Sequence, residues 1–332
     1  DKLYIGSNKL HSSKNKAKKF RAISKDLTQG YKQGNVSFGT ISCIEESPLK
    51  RGMLYTGSDD GLIYHSSNGG KTWNNRTTGL PQNLWVKEVI ASEYAQNRVF
   101  AILNGHIWDH FDSYIYLSKN NGTTWRRIGK NLPAEPINTL VEDPYNENIL
   151  YIGTDAGLYI SLDKGTSFYP MTNLPLVPVH DLAIQQGHRD LIVATHGRSL
   201  YKVQLEPVYQ SVIYEDSAFI LMPVPAIKYD ENWGKLNYKW DVRIPTIDAV
   251  FFTLETDSIL LAILDSENKE LLSTSISCTN GYNSNSIQLE FLENVSGSLI
   301  RGTRGKFYPS KGMYTLVITR NGSKKKQNFI VK

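Results

Sequence analysis

One turn recurs four times in the first half of this 332-residue chain. It reads SKNKAKKF at Ser13–Phe20, SSNGGKTW at Ser66–Trp73, SKNNGTTW at Ser118–Trp125 and SLDKGTSF at Ser161–Phe168. Self-similarity at a period of roughly 40 to 50 residues is the mark of a propeller or solenoid, and it restricts the fold more than composition does. The shared pattern is Ser-x-(Asn/Asp)-x-Gly-x-(Thr/Ser)-(Trp/Phe). Asn68, Asn120 and Asp163 have short polar side chains that bond nearby backbone, and Gly70, Gly122 and Gly165 supply the positive φ that closes a tight turn. Ser66, Ser118 and Ser161 add a local side-chain bond. Trp73, Trp125 and Phe168 start the next strand with a large apolar face for a neighbouring sheet. The first copy is degraded, with Ala17, Lys19 and Phe20 at the glycine, hydroxyl and tryptophan positions, yet its surroundings repeat as well.

Before the turns stand paired alternating strands: LYIGSNKLHSS, LYTGSDDGLIYHSS, LYIGTDAGLYISL and, last, LIVATHGRSLYKV. After the turns come Leu-Pro connectors at Leu80-Pro81, Leu132-Pro133 and Leu174-Pro175, each followed by an apolar strand, VKEVIA, INTLVE or VHDLAI. One repeat is therefore four strands, the size of a propeller blade. With strands named a to d from axis to rim, residues 3–28 supply b, c and d. Residues 40–78, 86–129 and 137–171 supply all four, and residues 179–204 supply a, b and c. The deficits at the two ends do not complement each other. The expectation is an incomplete ring of about five blades, completed by further blades from upstream sequence or another chain.

These motifs resemble the Asp-box, or bacterial neuraminidase, repeat. Residues 3–206 look like the sortilin-type and photosystem-assembly-factor-type Asp-box propellers, and Asp190–Val203 resembles the last-blade segment of secreted bacterial glycosyl-hydrolase-like repeat proteins. The resemblance implies the fold; it does not imply one activity, because unrelated functions share this scaffold.

Residues 207–245 break the repeat with an apolar, tryptophan-containing stretch that reads as a structured connector. From residue 246 to 332 short strands resume, with an Asn321-Gly322 hairpin signal between two alternating runs, which predicts an antiparallel β-sandwich. Residues 249–272 with Tyr308–Thr319 resemble immunoglobulin-like domains of the flagellar hook-capping type and the C-terminal sorting domains of type IX secretion. Both resemblances imply an exported bacterial protein. The fold class expected is thus all-β, an Asp-box propeller over 1–206 and a sandwich over 246–332.

Composition excludes several classes. Hydrophobic residues make up 40% and aromatics 11%, with 25 glycines, which suits a turn-rich chain with a real core, and no apolar run is long enough to span a bilayer. Cys43 and Cys278 fall in different predicted domains without metal-site spacing, so both read as free thiols. Sequons at Asn35, Asn75, Asn121, Asn294 and Asn321 are compositional in an Asn-rich chain. The net charge of +5 gathers in Lys14–Lys19 and Lys324–Lys326, on a turn and a terminal strand pair, which read as solvated surface and not as a nucleic-acid site.

In a propeller the b–c turns and d–a connectors share the face that binds ligands. The candidate site residues are therefore Asp59, Asp60, Asp155, His196 and Arg198 from the turns and Trp85 from a connector. To these the third blade adds a longer b–c segment, NGHIWDHFDS, carrying His106, Trp108, Asp109 and His110. The spacing of His106, Asp109 and His110 predicts three ligand-type side chains on one face of a helical turn, although no fourth ligand is near and no metal or other cofactor is assigned. The Trp-containing loop also suits stacking on a sugar or a protein. The segment from Asp109 to Tyr114 resembles one that precedes the Asp box in sortilin-like bacterial repeat proteins, which implies an architectural role.

An enzyme of this class needs particular groups. Sialidases use an arginine cluster, a tyrosine and an acid, and only Arg198 sits on the ligand face. Other glycosidases use two carboxylates about 5 to 10 Å apart, for which Asp59 and Asp155 are the nearest candidates. The sequence reading is an exported, non-catalytic binding or scaffolding module for a protein, peptide or glycan, with a glycoside hydrolase as the alternative.

Overall fold

The computed structural model describes residues 2–30, 39–171, 174–206, 208–209, 219–236, 241–293, 297 and 299–332. Sequons Asn35 and Asn294 and part of the 207–245 connector, including Trp240, lie outside them. The chain is all-β and divides into two compact units, Asp1–Tyr169 with Leu174–Val203, and Pro170–Asn173 with Gln204–Lys332. Among the described residues no helix is long and apolar enough to cross a membrane.

Among the described residues the first unit holds five antiparallel sheets in chain order. The first holds β1 (Leu3–Gly6), β2 (Leu10–Ser13) and β3 (Arg21–Ala22). Three four-stranded blades follow. They are β4 (Ile41–Glu46), β5 (Leu54–Ser58), β6 (Ile63–Ser66) and β7 (Asn74–Asn75); β8 (Trp85–Ala91), β9 (Val99–Gly105), β10 (His110–Ser118) and β11 (Arg126–Arg127); and β12 (Ile137–Glu142), β13 (Leu150–Thr154), β14 (Gly157–Ser161) and β15 (Tyr169–Pro170). The last sheet is β16 (Val179–Gln185), β17 (Asp190–Thr195) and β18 (Leu200–Gln204). The inner strands β4, β8, β12 and β16 stand side by side in that order. Strand count per blade thus follows the repeat read from the sequence.

The recurring turn has one geometry in all four copies. The serine hydroxyl accepts the backbone N–H four residues on, at 2.9 Å from Gly70 to Ser66, 2.8 Å from Gly122 to Ser118, 2.8 Å from Gly165 to Ser161 and 3.1 Å from Ala17 to Ser13. The Asn or Asp carbonyl or carboxylate likewise accepts from four residues on: Thr72, Thr124, Ser167 and Lys19. The reach is four residues and not the two expected of an Asx turn, because each turn contains two successive left-handed residues that fold the chain back. These are Gly69-Gly70, Asn121-Gly122, Lys164-Gly165 and, in the degraded copy, Lys16-Ala17 at φ 55° and 64°.

The same turns bind blade to blade. The Trp73 indole N–H donates to the Ile23 carbonyl at 3.0 Å and that of Trp125 to the Arg76 carbonyl at 2.7 Å, both just beyond the preceding blade's outer strand. Phe168 has no such donor, and Asn131 substitutes by bonding both the Phe168 N–H and its carbonyl. A second contact lies nearer the axis. A Cβ on Gly6, Gly57 or Gly153 would fall 2.9 Å from Ile41, 2.3 Å from Val86 or 2.5 Å from Val179, the β-branched residues of the next inner strand. The glycine of the repeated LYxG strand is therefore the socket for the following blade.

The second unit is a sandwich. It contains β19 (Phe219–Leu221), β20 (Thr246–Thr253), β21 (Asp257–Leu264), β22 (Glu270–Cys278), β23 (Gly281–Gln288), β24 (Ile300–Arg301), β25 (Phe307–Tyr308), β26 (Gly312–Arg320) and β27 (Ser323–Val331). One sheet runs β19-β20-β23 and the other β22-β21-β26-β27, with β24-β25 as a separate ladder. Phe251, Ile247 and Ile287 of the first sheet and Leu261, Leu316 and Phe329 of the second share one buried core, which Trp233 joins. Asn321 (φ 46°) and Gly322 (φ 80°) form the two-residue turn between β26 and β27.

Two substitutions test the packing. Gly153→Ala is expected to cost about 1–3 kcal/mol by overpacking against Val179. Ala17→Gly is expected to gain about 0.5–1 kcal/mol by relieving a left-handed alanine. Urea unfolding of both variants, followed by tryptophan fluorescence, measures these opposite shifts.

Candidate functional site

Each inner strand carries a register break at the same place, between Ile41 and Cys43, Val86 and Glu88, Ile137 and Thr139, and Val179 and Asp181. A bulge sets two residues against one and re-aims a side chain. The residues that follow it are Ser42 with Cys43, Lys87 with Glu88, and His180 with Asp181. With Glu45 and Thr139 they line a cavity of about 480 Å³.

Two carboxyl groups in this cavity bridge blades. Glu45 accepts the Ala91 N–H at 3.2 Å, and Glu88 accepts the Leu140 N–H at 3.1 Å. Burial pushes both up to about 7, outweighing those hydrogen bonds. The neighbouring Cys43 thiol is pushed up to about 12, also by burial, so it is no nucleophile at neutral pH. Ser42 is tied down by donating to the Val86 carbonyl at 2.6 Å. The cavity thus presents acid–base groups poised near neutrality on a rigid frame.

The turn residues singled out by sequence hold the b–c face together. Asp59, Asp155 and His196 occupy equivalent places, and their backbone N–H groups donate to Thr40, Pro136 and Pro178 at 2.9, 3.1 and 2.9 Å, just before each inner strand. The Asp59 carboxylate also accepts the Thr40 N–H at 2.8 Å, and Asp155 accepts from the Asn138 amide at 2.8 Å. Asp60 is buried and accepts from Ser58 at 2.5 Å and from the Gln29 backbone at 2.8 Å. The His196 ring lies 5.3 Å from that of His180, and Arg198 is exposed nearby in sequence. Trp85 is half-buried at the start of β8 with the Lys87 ammonium 5.2 Å from its ring centre.

The third blade's b–c segment is a raised hairpin. His106–Trp108 form one 3-10 turn, which ends at Asp109 in the left-handed region (φ 59°). His110 already belongs to β10, its ring 3.4 Å from the Tyr114 hydroxyl. His106, Asp109 and His110 therefore do not share a helical face as their spacing predicts, because the chain reverses at Asp109. Among the described residues no group of three or more His, Cys, Asp or Glu side chains is arranged to hold a metal ion. The hairpin instead presents apolar surface: Ile107 is 62% exposed, Trp108 59% and Phe111 46%.

Lys87, Glu88, Glu45, His180 and Asp181 escaped the sequence reading. For Lys87, Glu88, His180 and Asp181 the signal is a polar pair at the second and third positions of an otherwise apolar inner strand, in VKEVIA and VHDLAI.

No protein-family model matches the chain. A xyloglucanase from Hypocrea jecorina is 28% identical over 146 residues, 39% of this chain. A xyloglucanase from a Paenibacillus species is 26% identical over 152 residues, 41% of this chain. The matches span only 17% and 15% of those relatives' own lengths. Among solved structures, the GH74 enzyme of Niastella koreensis superposes with a TM-score of 0.46 at 10% identity, covering 96% of this chain and 69% of that one.

The axial carboxyls set a measurable property. A carboxyl whose pKa is raised by folding stabilises the protein only while protonated, so stability is expected to fall between pH 4.5 and about 7. The loss is on the order of 1 kcal/mol per pH unit for each group. In the Glu45→Gln, Glu88→Gln double variant, urea midpoints across that range are expected to lose most of this slope.

Proposed function

We propose that this chain is a glycan-binding propeller, exported from its cell, that presents its b–c face to a neutral plant-type polysaccharide such as xyloglucan. The observation that carries the reading is the Trp108 hairpin, an exposed indole between Ile107 and Phe111 on the face expected to meet ligand. An aromatic ring of this kind offers a flat apolar platform at low entropic cost, suited to the C–H face of a sugar ring. The similarity to xyloglucanases supports the choice of ligand. Xyloglucan titrated by calorimetry is expected to bind the wild type, and Trp108→Ala to weaken it about tenfold, or ~1.4 kcal/mol. Equal affinity in the variant would remove the reading's basis.

Hydrolysis is the second reading, favoured by the same relatives and by acid–base groups near neutrality in the axial cavity. Release of reducing ends from xyloglucan, abolished in Glu45→Gln or Glu88→Gln with the fold intact, would establish it. No release from wild type would leave binding alone.

We also propose that further blades outside this sequence complete the ring. Strands β1 and β13 both read LYIG, yet Leu150 and Ile152 are fully buried whereas Leu3 is 50% and Ile5 47% exposed. Slow amide exchange across β1 in the whole protein is expected; rapid exchange there would reject the idea.

A further inference from the structure

The sandwich leaves one long strand edge open. In the sheet β22-β21-β26-β27, the nine residues of β22 pair with β21 alone. Among the described residues no strand, bridge or backbone hydrogen bond takes up the other edge of β22. A row of unpaired N–H and C=O groups is a template for another strand, and natural sheets guard it with lysine, brevity or a covering segment.

The other three edges of the two sheets are guarded in those ways. β27 carries Lys324, Lys325 and Lys326 in succession. Its far end is covered, with the Ile227 N–H donating to the Ile330 carbonyl at 2.9 Å and the Tyr229 N–H to the Lys332 carbonyl at 2.7 Å. β19 is three residues long, and its Leu221 carbonyl accepts the Gln327 side-chain amide at 3.2 Å. β23 is bridged near its start, where Met171 pairs with Tyr282. β22 has none of these devices: it holds neither lysine nor proline, and its one charged residue is Glu270.

The open strand is complementary to itself. Leu272, Thr274 and Ile276 stand opposite Ile263, Leu261 and Ile259 and so face the core, whereas Ser273 and Ser275 stand opposite Ala262 and Leu260 on the outer face. About Thr274 the stretch Leu272-Ser273-Thr274-Ser275-Ile276 reads nearly the same in both directions. A second β22 laid antiparallel about a two-fold axis at Thr274 therefore sets Leu272 against Ile276, Ser273 against Ser275 and Thr274 against itself. Apolar meets apolar on the inner face, hydroxyl meets hydroxyl on the outer face, and Glu270 falls opposite Cys278, so no like charges oppose. Leu272 and Ile276 are only partly buried, while their neighbours Ile263 and Ile259 are fully so, which leaves apolar area for such a partner to cover. The same operation on β27 would set Lys325 against itself and Lys324 against Lys326, which like-charge repulsion opposes.

We propose that this chain pairs with a second copy of itself through β22, joining two four-stranded sheets into one across a two-fold axis. The pairing is independent of the glycan-binding reading. Every site on the chain is duplicated in such a dimer, which raises avidity for a polymer or a surface with repeated sites. One added strand pair buries less than the roughly 1,600 Å² of a standard interface, so the dimer is reversible, with a Kd in about the micromolar range.

Sedimentation equilibrium of the full chain at loadings from about 1 to 100 μM tests this, and the wild type is expected to show a monomer–dimer equilibrium. Ser273 and Ser275 are exposed, and across the axis each faces the other in the second copy. The double variant Ser273→Lys, Ser275→Lys sets like charges opposite and is expected to weaken the dimer about tenfold or more. The double variant Ser273→Lys, Ser275→Glu sets opposite charges across the axis and is expected to dimerise within about threefold of wild type, or more tightly. A wild type that stays monomeric throughout overturns the proposal. Association that the two lysines leave unchanged overturns it too, and puts the contact elsewhere, as on the exposed Leu3 and Ile5 of β1. Equal weakening by both variants overturns the two-fold pairing at Thr274 and points to another register or a foreign strand.

Discussion

The close approach of one blade to the next is the constraint on which the propeller depends. It is made at glycine positions of two kinds. Near the axis, the strand glycines Gly6, Gly57 and Gly153 receive Ile41, Val86 and Val179. Near the rim, the turn glycines Gly70, Gly122 and Gly165 meet Ile23, Arg76 and Ile128, all at the same position beyond an outer strand. A side chain at either place would force the sheets apart and open a void in a core that is otherwise closely packed. The indole bonds of Trp73 and Trp125 then lock the rim in the geometry those contacts permit. In the β8–β11 blade Ile102 is fully buried and packs with Ile137, so a side-chain contact replaces the glycine socket there.

Much of this was legible in the sequence because each feature is local. The turn copies could be aligned, and even the degraded Ser13–Phe20 copy keeps the serine and asparagine that hold it, so its hydrogen bonds survive the loss of glycine at Ala17. The Asn321-Gly322 hairpin was equally plain. What was hidden is what needs two strands to exist. A bulge is a relation between partners, and VKEVIA reads as a plain inner strand until its register against β9 is known. The hairpin at His106–Asp112 failed for a related reason. Spacing alone suggests a continuous helical turn, but Asp109 adopts the left-handed conformation and sends His110 into a strand. The turn aspartates lie in the b–c turns, and their carboxylates are already engaged, Asp59 by Thr40, Asp60 by Gln29 and Asp155 by Asn138.

The electrostatics of the axis follow from geometry more than from sequence. Glu45 and Glu88 each reach across to the backbone of the next inner strand, which satisfies one oxygen and draws the carboxyl away from water. Desolvation is the larger effect, and it leaves both groups near half-ionisation at neutral pH. The buried ion pair of Arg98 with Glu142 at 3.0 Å, further stitched by Ser92, offsets part of the same effect, yet burial still holds the Glu142 carboxyl above the usual carboxylate range.

The repeated bulge gives the residues that follow it two jobs, lining the axial cavity and tying one blade to the next. Ile41, Val86 and Val179 pack at the blade interface just before it, and the pairs that follow line the axial cavity while Ser42 bonds the Val86 carbonyl and Glu88 the Leu140 N–H of the next blade. Ser-Cys, Lys-Glu, Asn-Thr and His-Asp all occupy that slot in one molecule without altering the sheet around it. The axis therefore couples chemistry to assembly: a mutation that rewrites its charge or acidity also changes how one blade is tied to the next, so selection for a new ligand there acts on the stability of the ring as well.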